Sequence, residues 1–172
     1  MVLQNSLSEQ LAYWATACRD RAIEEGWDLS LAESCTGGLI GASLSAIPGT
    51  SAMFKGAVVA YDNALKSSLL GVPPMTLDQY GAVSGPTVRA MAEGIRQATG
   101  STMGLAATGV AGPTGGSDYK PVGTVFLAMA RQGACTQIRQ YYFEGNRQTV
   151  REATAISLFR WVAEYQMVAV AS

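Results

Sequence analysis

The stretch Leu31-Ala-Glu-Ser-Cys-Thr-Gly-Gly38 constrains the fold more than any other part of the chain. It predicts a strand over Trp27 to Ala32, a Ser-Cys-Thr-Gly-Gly turn, and a helix over Leu39 to Ile47. Such a junction lifts the Ser34 hydroxyl to the end of a sheet and aims backbone N–H groups at whatever sits there. The chain contains no histidine. A Ser-His-Asp triad is therefore excluded, and if Ser34 is a nucleophile a lysine or tyrosine must take its proton.

Strands and helices alternate on both sides of that junction. Leu7 to Gly26 carries Leu11, Trp14, Ala15, Cys18 and Ala22 at helical spacing. Pro48-Gly-Thr-Ser51 reads as a loop, Lys55 to Tyr61 as an apolar strand, and Asn63 to Leu70 as a helix closed by Gly71. A short helix at Thr76 to Tyr80 and a longer one from Pro86 to about Ala98 precede a buried strand at Met103 to Ala107. That strand empties into the Gly-rich loop Thr108 to Ser117. Val122 to Arg131 and Thr136 to Phe143 predict a hairpin turning at Gln132-Gly133, and Asn146 caps a last helix reaching about Gln166. Alternation followed by a hairpin predicts an α/β domain with helices on both faces of a mixed sheet. With 172 residues, 48% of them apolar, and no internal repeat, the span 1–172 reads as one domain.

A net charge of −1, with 15% charged residues, offers no electrostatic case for nucleic acid. Cys18, Cys35 and Cys135 are odd in number and widely spaced, indicating neither a disulfide framework nor a zinc site. Without histidine a metal site needs carboxylates alone, and no acidic cluster suggests one, so no metal or cofactor is expected. Met1 to Gln10 lacks the basic and apolar regions of a signal peptide. The longest uncharged run, Gln97 to Ser117, is broken by glycines and Pro113. A soluble cytoplasmic protein without a membrane partner is the expectation.

Six groups of residues carry possible chemistry, most with a plainer alternative. Ser34 is either a nucleophile or the N-cap of the helix after it, and the adjacent Gly37 and Gly38 permit close ligand approach. Lys66 sits near the positive end of its helix, a place that favours the neutral amine and so suits a general base, unless it is an ordinary surface lysine. Tyr61 is a strand-end aromatic or a proton relay between Ser34 and Lys66. The loop from Thr108 to Ser117 is a weak signal for a polar-ligand cradle and matches neither a P-loop nor a dinucleotide fingerprint. Arg147 and Arg151, four apart at the start of the last helix, suit a phosphate or a solvated face. Cys35 is the rival nucleophile, since a thiol at a helix N-terminus can be acidified.

Taken together, these segments resemble the CinA C-terminal domain family, which includes stand-alone nicotinamide-nucleotide amidases. The matching pieces are Ala-Glu-Ser-Cys-Thr-Gly-Gly (32–38), Pro-Gly-Thr-Ser (48–51), Tyr-Asp-Asn-Ala-Leu-Lys (61–66) and Gly-Ala-Val-Ser (81–84). Gly-Val-Ala-Gly-Pro-Thr-Gly-Gly (109–116), Lys-Pro-Val-Gly-Thr-Val (120–125) and Gly-Asn-Arg-Gln-Thr-Val-Arg (145–151) continue the match in order. The resemblance implies a three-layer α/β/α sandwich with a mixed, mostly parallel five-stranded sheet. It implies deamidation of nicotinamide mononucleotide to nicotinate mononucleotide and ammonia, without a metal or cofactor. It places catalysis on Ser34, Tyr61 and Lys66. By the same analogy Cys35, Thr36, Gly37 and Gly38 surround the oxyanion, and Thr108, Gly109, Gly112, Gly115 and Gly116 line the nucleotide pocket. Arg147 and Arg151 are offered to the phosphate. Gly85 and Ala64 stand where many relatives carry acidic residues, a departure that bears on substrate preference. The metal-dependent pyrophosphatase activity of the N-terminal domain in longer CinA proteins is not expected here. A homodimer is compatible with the family and with the apolar faces of the terminal helices.

Two other functions compete with the serine amidase. One is a non-catalytic nucleotide-binding or regulatory module linked to competence or DNA damage. The other is a cysteine amidase using Cys35.

Overall fold

The computed structural model describes residues 6–166; the first part of the Met1–Gln10 segment and both ends of the 1–172 domain span lie outside the described residues. In chain order it contains α1 (Leu7–Glu24), β1 (Leu29–Glu33), α2 (Leu39–Ser45), β2 (Phe54–Val59), α3 (Asn63–Leu70), α4 (Pro74–Tyr80), α5 (Gly85–Thr99), β3 (Met103–Gly109), β4 (Thr124–Arg131), β5 (Gln137–Tyr142) and α6 (Arg147–Ala163). The expected loop at 48–51 runs into a single 3-10 turn, Thr50–Ala52. The strand expected to begin at Trp27 begins at Leu29, and α2 stops two residues before Ile47.

Local chemistry explains most boundaries. Ser6 and Glu9 form a reciprocal capping box on α1, while Asp62, Ser84 and Asn146 cap α3, α5 and α6 through their side-chain oxygens. Gly71 and Gly100 end α3 and α5 in the left-handed conformation that costs glycine least.

The strands pair in the order β2-β1-β3-β4-β5. β1 lies parallel to β2 on one side and to β3 on the other, whereas β4 runs antiparallel to both β3 and β5. Only β4 therefore opposes the common direction, and the sheet is mixed as expected. All five residues of β1 are buried, as a strand covered on both faces requires. Leu29 and Leu31 enter a core shared with α1, α2 and α6. Ala32 enters the other, with Ala106, Ala128 and Ala130 packed against Val88, Met91 and Ile95 of α5. Those small side chains let α5 lie close to the sheet: a Cβ on Gly104 would come within 2.2 Å of the Ala92 carbonyl oxygen. Helices on both faces complete the α/β/α sandwich. No described helix is long and apolar enough to cross a membrane.

The chain leaves β1 through α2 to reach β2, then returns through α3, α4 and α5 to β3 on the opposite side of β1. Connections that diverge in this way leave a crevice outside the carboxyl ends of the strands. Ser34 follows β1 there, Tyr61 lies just beyond β2, and Val110 follows β3.

Candidate active site

At the end of β1 the Ser34 N–H donates to the Ala107 carbonyl at 3.0 Å, and the Gly37 N–H returns to the Ser34 carbonyl at 3.0 Å. The N-cap of α2 is Gly38, at φ 92°, rather than Ser34. The capping alternative for Ser34 thus fails, because the turn inserts three residues between Ser34 and the Gly38 cap. Ser34 is 8% exposed, and among the described residues its hydroxyl has no hydrogen-bond partner. It lines a cavity of about 240 Å³ together with Tyr61, Lys66, Thr108, Gly112 and Arg147.

Lys66 is the fourth residue of α3, counted from its Asp62 cap, and its side chain is turned inward: the residue is 1% exposed. Its Nζ donates to the Tyr61 carbonyl at 3.0 Å. Burial holds the ammonium below the ordinary lysine pKa, against the opposing pull of Asp62 and Cys35. The surface-lysine alternative is excluded by that burial. Tyr61 is half exposed, and its phenolic oxygen accepts from Arg147 Nη2 at 2.7 Å, while Arg147 Nη1 donates to the Gly112 carbonyl at 2.8 Å. The phenol is thus engaged by the arginine and not by Ser34 or Lys66, so the relay geometry expected for Tyr61 is not the one observed.

The expected oxyanion donors separate on inspection. Gly37 N–H is used within the turn, and Gly38 N–H donates to Glu33 Oε2 at 3.0 Å. The Cys35 and Thr36 N–H groups bond to no other described residue, but Thr36 is fully buried and, like Gly37 and Gly38, does not line the cavity, so Cys35 N–H is the donor the turn offers. The Cys35 thiol is buried and pushed up to about 12, chiefly by desolvation and further by the Glu33 charge, although a hydrogen bond from its own backbone N–H, Arg147 and Lys66 act the other way. A thiol so placed is protonated at neutral pH, which weakens the rival nucleophile.

Of the Gly-rich loop, Gly109, Gly112 and Gly115 line the cavity and Gly116 does not. Close packing also demands these glycines: a Cβ on Gly112 would lie 2.5 Å from Val122, and one on Gly116 would lie 2.8 Å from the Val122 backbone nitrogen. Thr108 lines the cavity too, yet its hydroxyl is taken by the Ala82 carbonyl at 2.8 Å. Arg151 does not reach the cavity. Its Nε and Nη2 donate to the Thr36 carbonyl at 3.0 and 2.7 Å, so it braces the turn from α6. The cavity lining holds the Arg147 guanidinium beside the Lys66 amine and no carboxylate, which suits an anionic ligand. No group of three or more His, Cys, Asp or Glu among the described residues is placed to hold a metal ion.

A sequence model for the CinA C-terminal domain matches residues 12–166. The chain belongs to the CinA C-terminal domain family. It is 51% identical over 139 residues to a CinA-like protein of Geobacter metallireducens, covering 81% of this chain and 33% of that protein. A putative competence-damage inducible protein of Acetivibrio thermocellus is 43% identical over 165 residues, 96% of this chain and 39% of that protein. The chain thus spans about a third of the length of such relatives. Among solved structures, the competence/damage inducible protein CihA of Agrobacterium tumefaciens superposes with a TM-score of 0.86 at 35% identity, over 94% of this chain and 97% of that one. A CinA superfamily protein of Escherichia coli superposes with a TM-score of 0.84 at 28% identity, over 92% of each chain.

Two residues of this CinA domain escape a reading by motif chemistry. Asn63, the first residue of α3, lines the cavity with no hydrogen bond from its side chain to the rest of the described chain; its place at a helix start gave no sign of a task. Glu33 is fully buried beneath the Ser34 turn. Its signal was a carboxylate at the end of a mostly apolar strand.

Proposed function

We propose that this CinA domain is a serine amidase that hydrolyses the carboxamide of nicotinamide mononucleotide to nicotinate mononucleotide and ammonia. The observation that carries the reading is a pair of groups in one cleft: a Ser34 hydroxyl without a partner and a buried Lys66 whose pKa is lowered. A neutral amine is the form that can accept the serine proton.

In this reading Ser34 Oγ attacks the carboxamide carbon as its proton passes to Lys66 Nζ. The Cys35 N–H, on the cavity wall, receives the developing oxyanion, a contribution of about 3–4 kcal/mol in comparable sites. Lys66 returns the proton to the leaving nitrogen, and ammonia departs. Water then gives a proton to Lys66 and attacks the nicotinoyl ester; the C–O bond to Ser34 breaks, Lys66 returns the proton to Ser34 Oγ, and the nicotinate acid leaves and ionises to the carboxylate. Arg147 uses two N–H groups on Tyr61 and Gly112 and keeps the others for the substrate phosphate. Tyr61 acts through this contact, fixing the guanidinium and bordering the cleft. A cavity lined by the Arg147 guanidinium and no carboxylate supports a nucleotide in preference to a neutral amide.

Ammonia release from nicotinamide mononucleotide tests the reading. Wild type should turn over, while Ser34→Ala and Lys66→Ala each lose at least about 1,000-fold in kcat. Nucleotide binding without turnover by wild type would overturn the amidase and favour a binding module.

A further inference from the structure

Glu33 is a buried carboxylate at the site that the proposed chemistry leaves without a task. No lysine or arginine forms an ion pair with it among the described residues. It accepts instead from Thr36 Oγ1 at 2.7 Å, Gly38 N–H at 3.0 Å, Ile40 N–H at 3.1 Å and Gly41 N–H at 2.7 Å. Every donor comes from the turn after Ser34 or the first residues of α2. A helix start normally leaves such N–H groups open to an external anion; here the last residue of β1 fills the position itself. The fit is close, since a Cβ on Gly41 would lie 3.3 Å from Glu33 Oε1 and 3.1 Å from Ala57 Cβ. With Gly37 also committed to Ser34, the Cys35 and Thr36 N–H groups are those of the turn that bond no other described residue, and of the two only Cys35 lines the cavity.

We propose that Glu33 is a positioning residue: its carboxylate ties Thr36 and the start of α2 to the end of β1, and so holds the Cys35 N–H in place beside Ser34. The proposal rests on the reading of Ser34 as nucleophile. It assigns Glu33 no contact with substrate. Loss of the carboxylate should therefore slow chemistry at Ser34 while nucleotide binding, which lies with Arg147 and the Gly-rich loop, changes little.

The test compares wild type with Glu33→Gln, which turns one acceptor into a donor facing backbone donors, and with Thr36→Val, which removes one of the four hydrogen bonds and keeps the carboxylate. Three quantities are measured: kcat and KM for nicotinamide mononucleotide, and the rate at which a fluorophosphonate phosphonylates Ser34. The last needs a nucleophile and oxyanion donors but no nucleotide site. Glu33→Gln should lower kcat and the phosphonylation rate together by about 100-fold, with KM within about threefold. Thr36→Val should lower both rates by about 10-fold, and it decides alone if Glu33→Gln does not fold. Folded variants that phosphonylate at the wild-type rate would overturn the proposal, because Glu33 would then serve stability only. Wild type that is phosphonylated but inert on the nucleotide would retire that substrate, leaving phosphonylation to decide the role of Glu33. Wild type that is not phosphonylated has no nucleophile to position, which overturns both readings.

Discussion

Lys66 carries an amine at 1% exposure with one hydrogen bond, to the Tyr61 carbonyl. Its folded pKa lies below the ordinary 10.5, with burial as the main cause. Between the lowered value and 10.5 the unfolded chain binds a proton that the folded chain does not. Stability therefore rises with pH across that window and is lowest below it, where the folded protein must hold a buried cation. Lys66→Met removes the titration and keeps a similar volume. Its unfolding free energy relative to wild type should be most favourable below the window and fall away as pH rises through it, as urea melts at several pH values would report. The same group predicts that kcat/KM climbs with pH to a midpoint below 10.5. A flat profile would remove Lys66 as the base.

At the scale of elements, α6 delivers two arginines to different tasks. Arg147 enters the cavity, whereas Arg151 holds the Thr36 carbonyl. Steady-state kinetics should separate them: Arg147→Leu raises KM for the nucleotide by about 10-fold or more, while Arg151→Leu lowers kcat by about 10-fold and leaves KM within about threefold. Equal effects on KM would restore the two-arginine phosphate site. The crossing of α3 and α5 depends on Gly94, where a Cβ would lie 1.7 Å from the Leu70 carbonyl oxygen. Backbone cannot yield as a side-chain tip can, so Gly94→Ala should cost about 3 kcal/mol by chemical denaturation. Because α3 carries Lys66, the loss should reach activity as well.

Across the whole molecule, one sheet serves two cores, since Leu31 and Ala32 of β1, and Leu105 and Ala106 of β3, face opposite sides. Neither helical layer can leave without uncovering strands that the other layer needs. Trp14, Trp27 and Trp161 all belong to the α1–α6 side. Tryptophan fluorescence and far-UV circular dichroism should nevertheless give coincident unfolding curves, the mark of a two-state transition; an earlier dichroism change would mean that the α5 side melts by itself. Much of this architecture was legible in the chain because it depends on neighbours. Caps such as Asn146, stops such as Gly71 and the periodicity of α1 act over a few residues, and they located nearly every element. The Ser34 turn and the lack of histidine likewise narrowed the chemistry without coordinates. Hydrogen-bond partners were another matter. Arg147 and Arg151 share a helix face by spacing, yet only packing shows that one meets Gly112 and Tyr61 and the other meets Thr36, 115 residues away in sequence. The motif places Glu33 beside Ser34, but its task is set by α2 folding back over β1 until four donors converge on one carboxylate. Sequence by itself determined the elements and the reactive groups, since local propensity and composition suffice for those; tertiary structure alone decided which groups are buried, bonded or free, because long-range contacts set burial and hydrogen-bond partners.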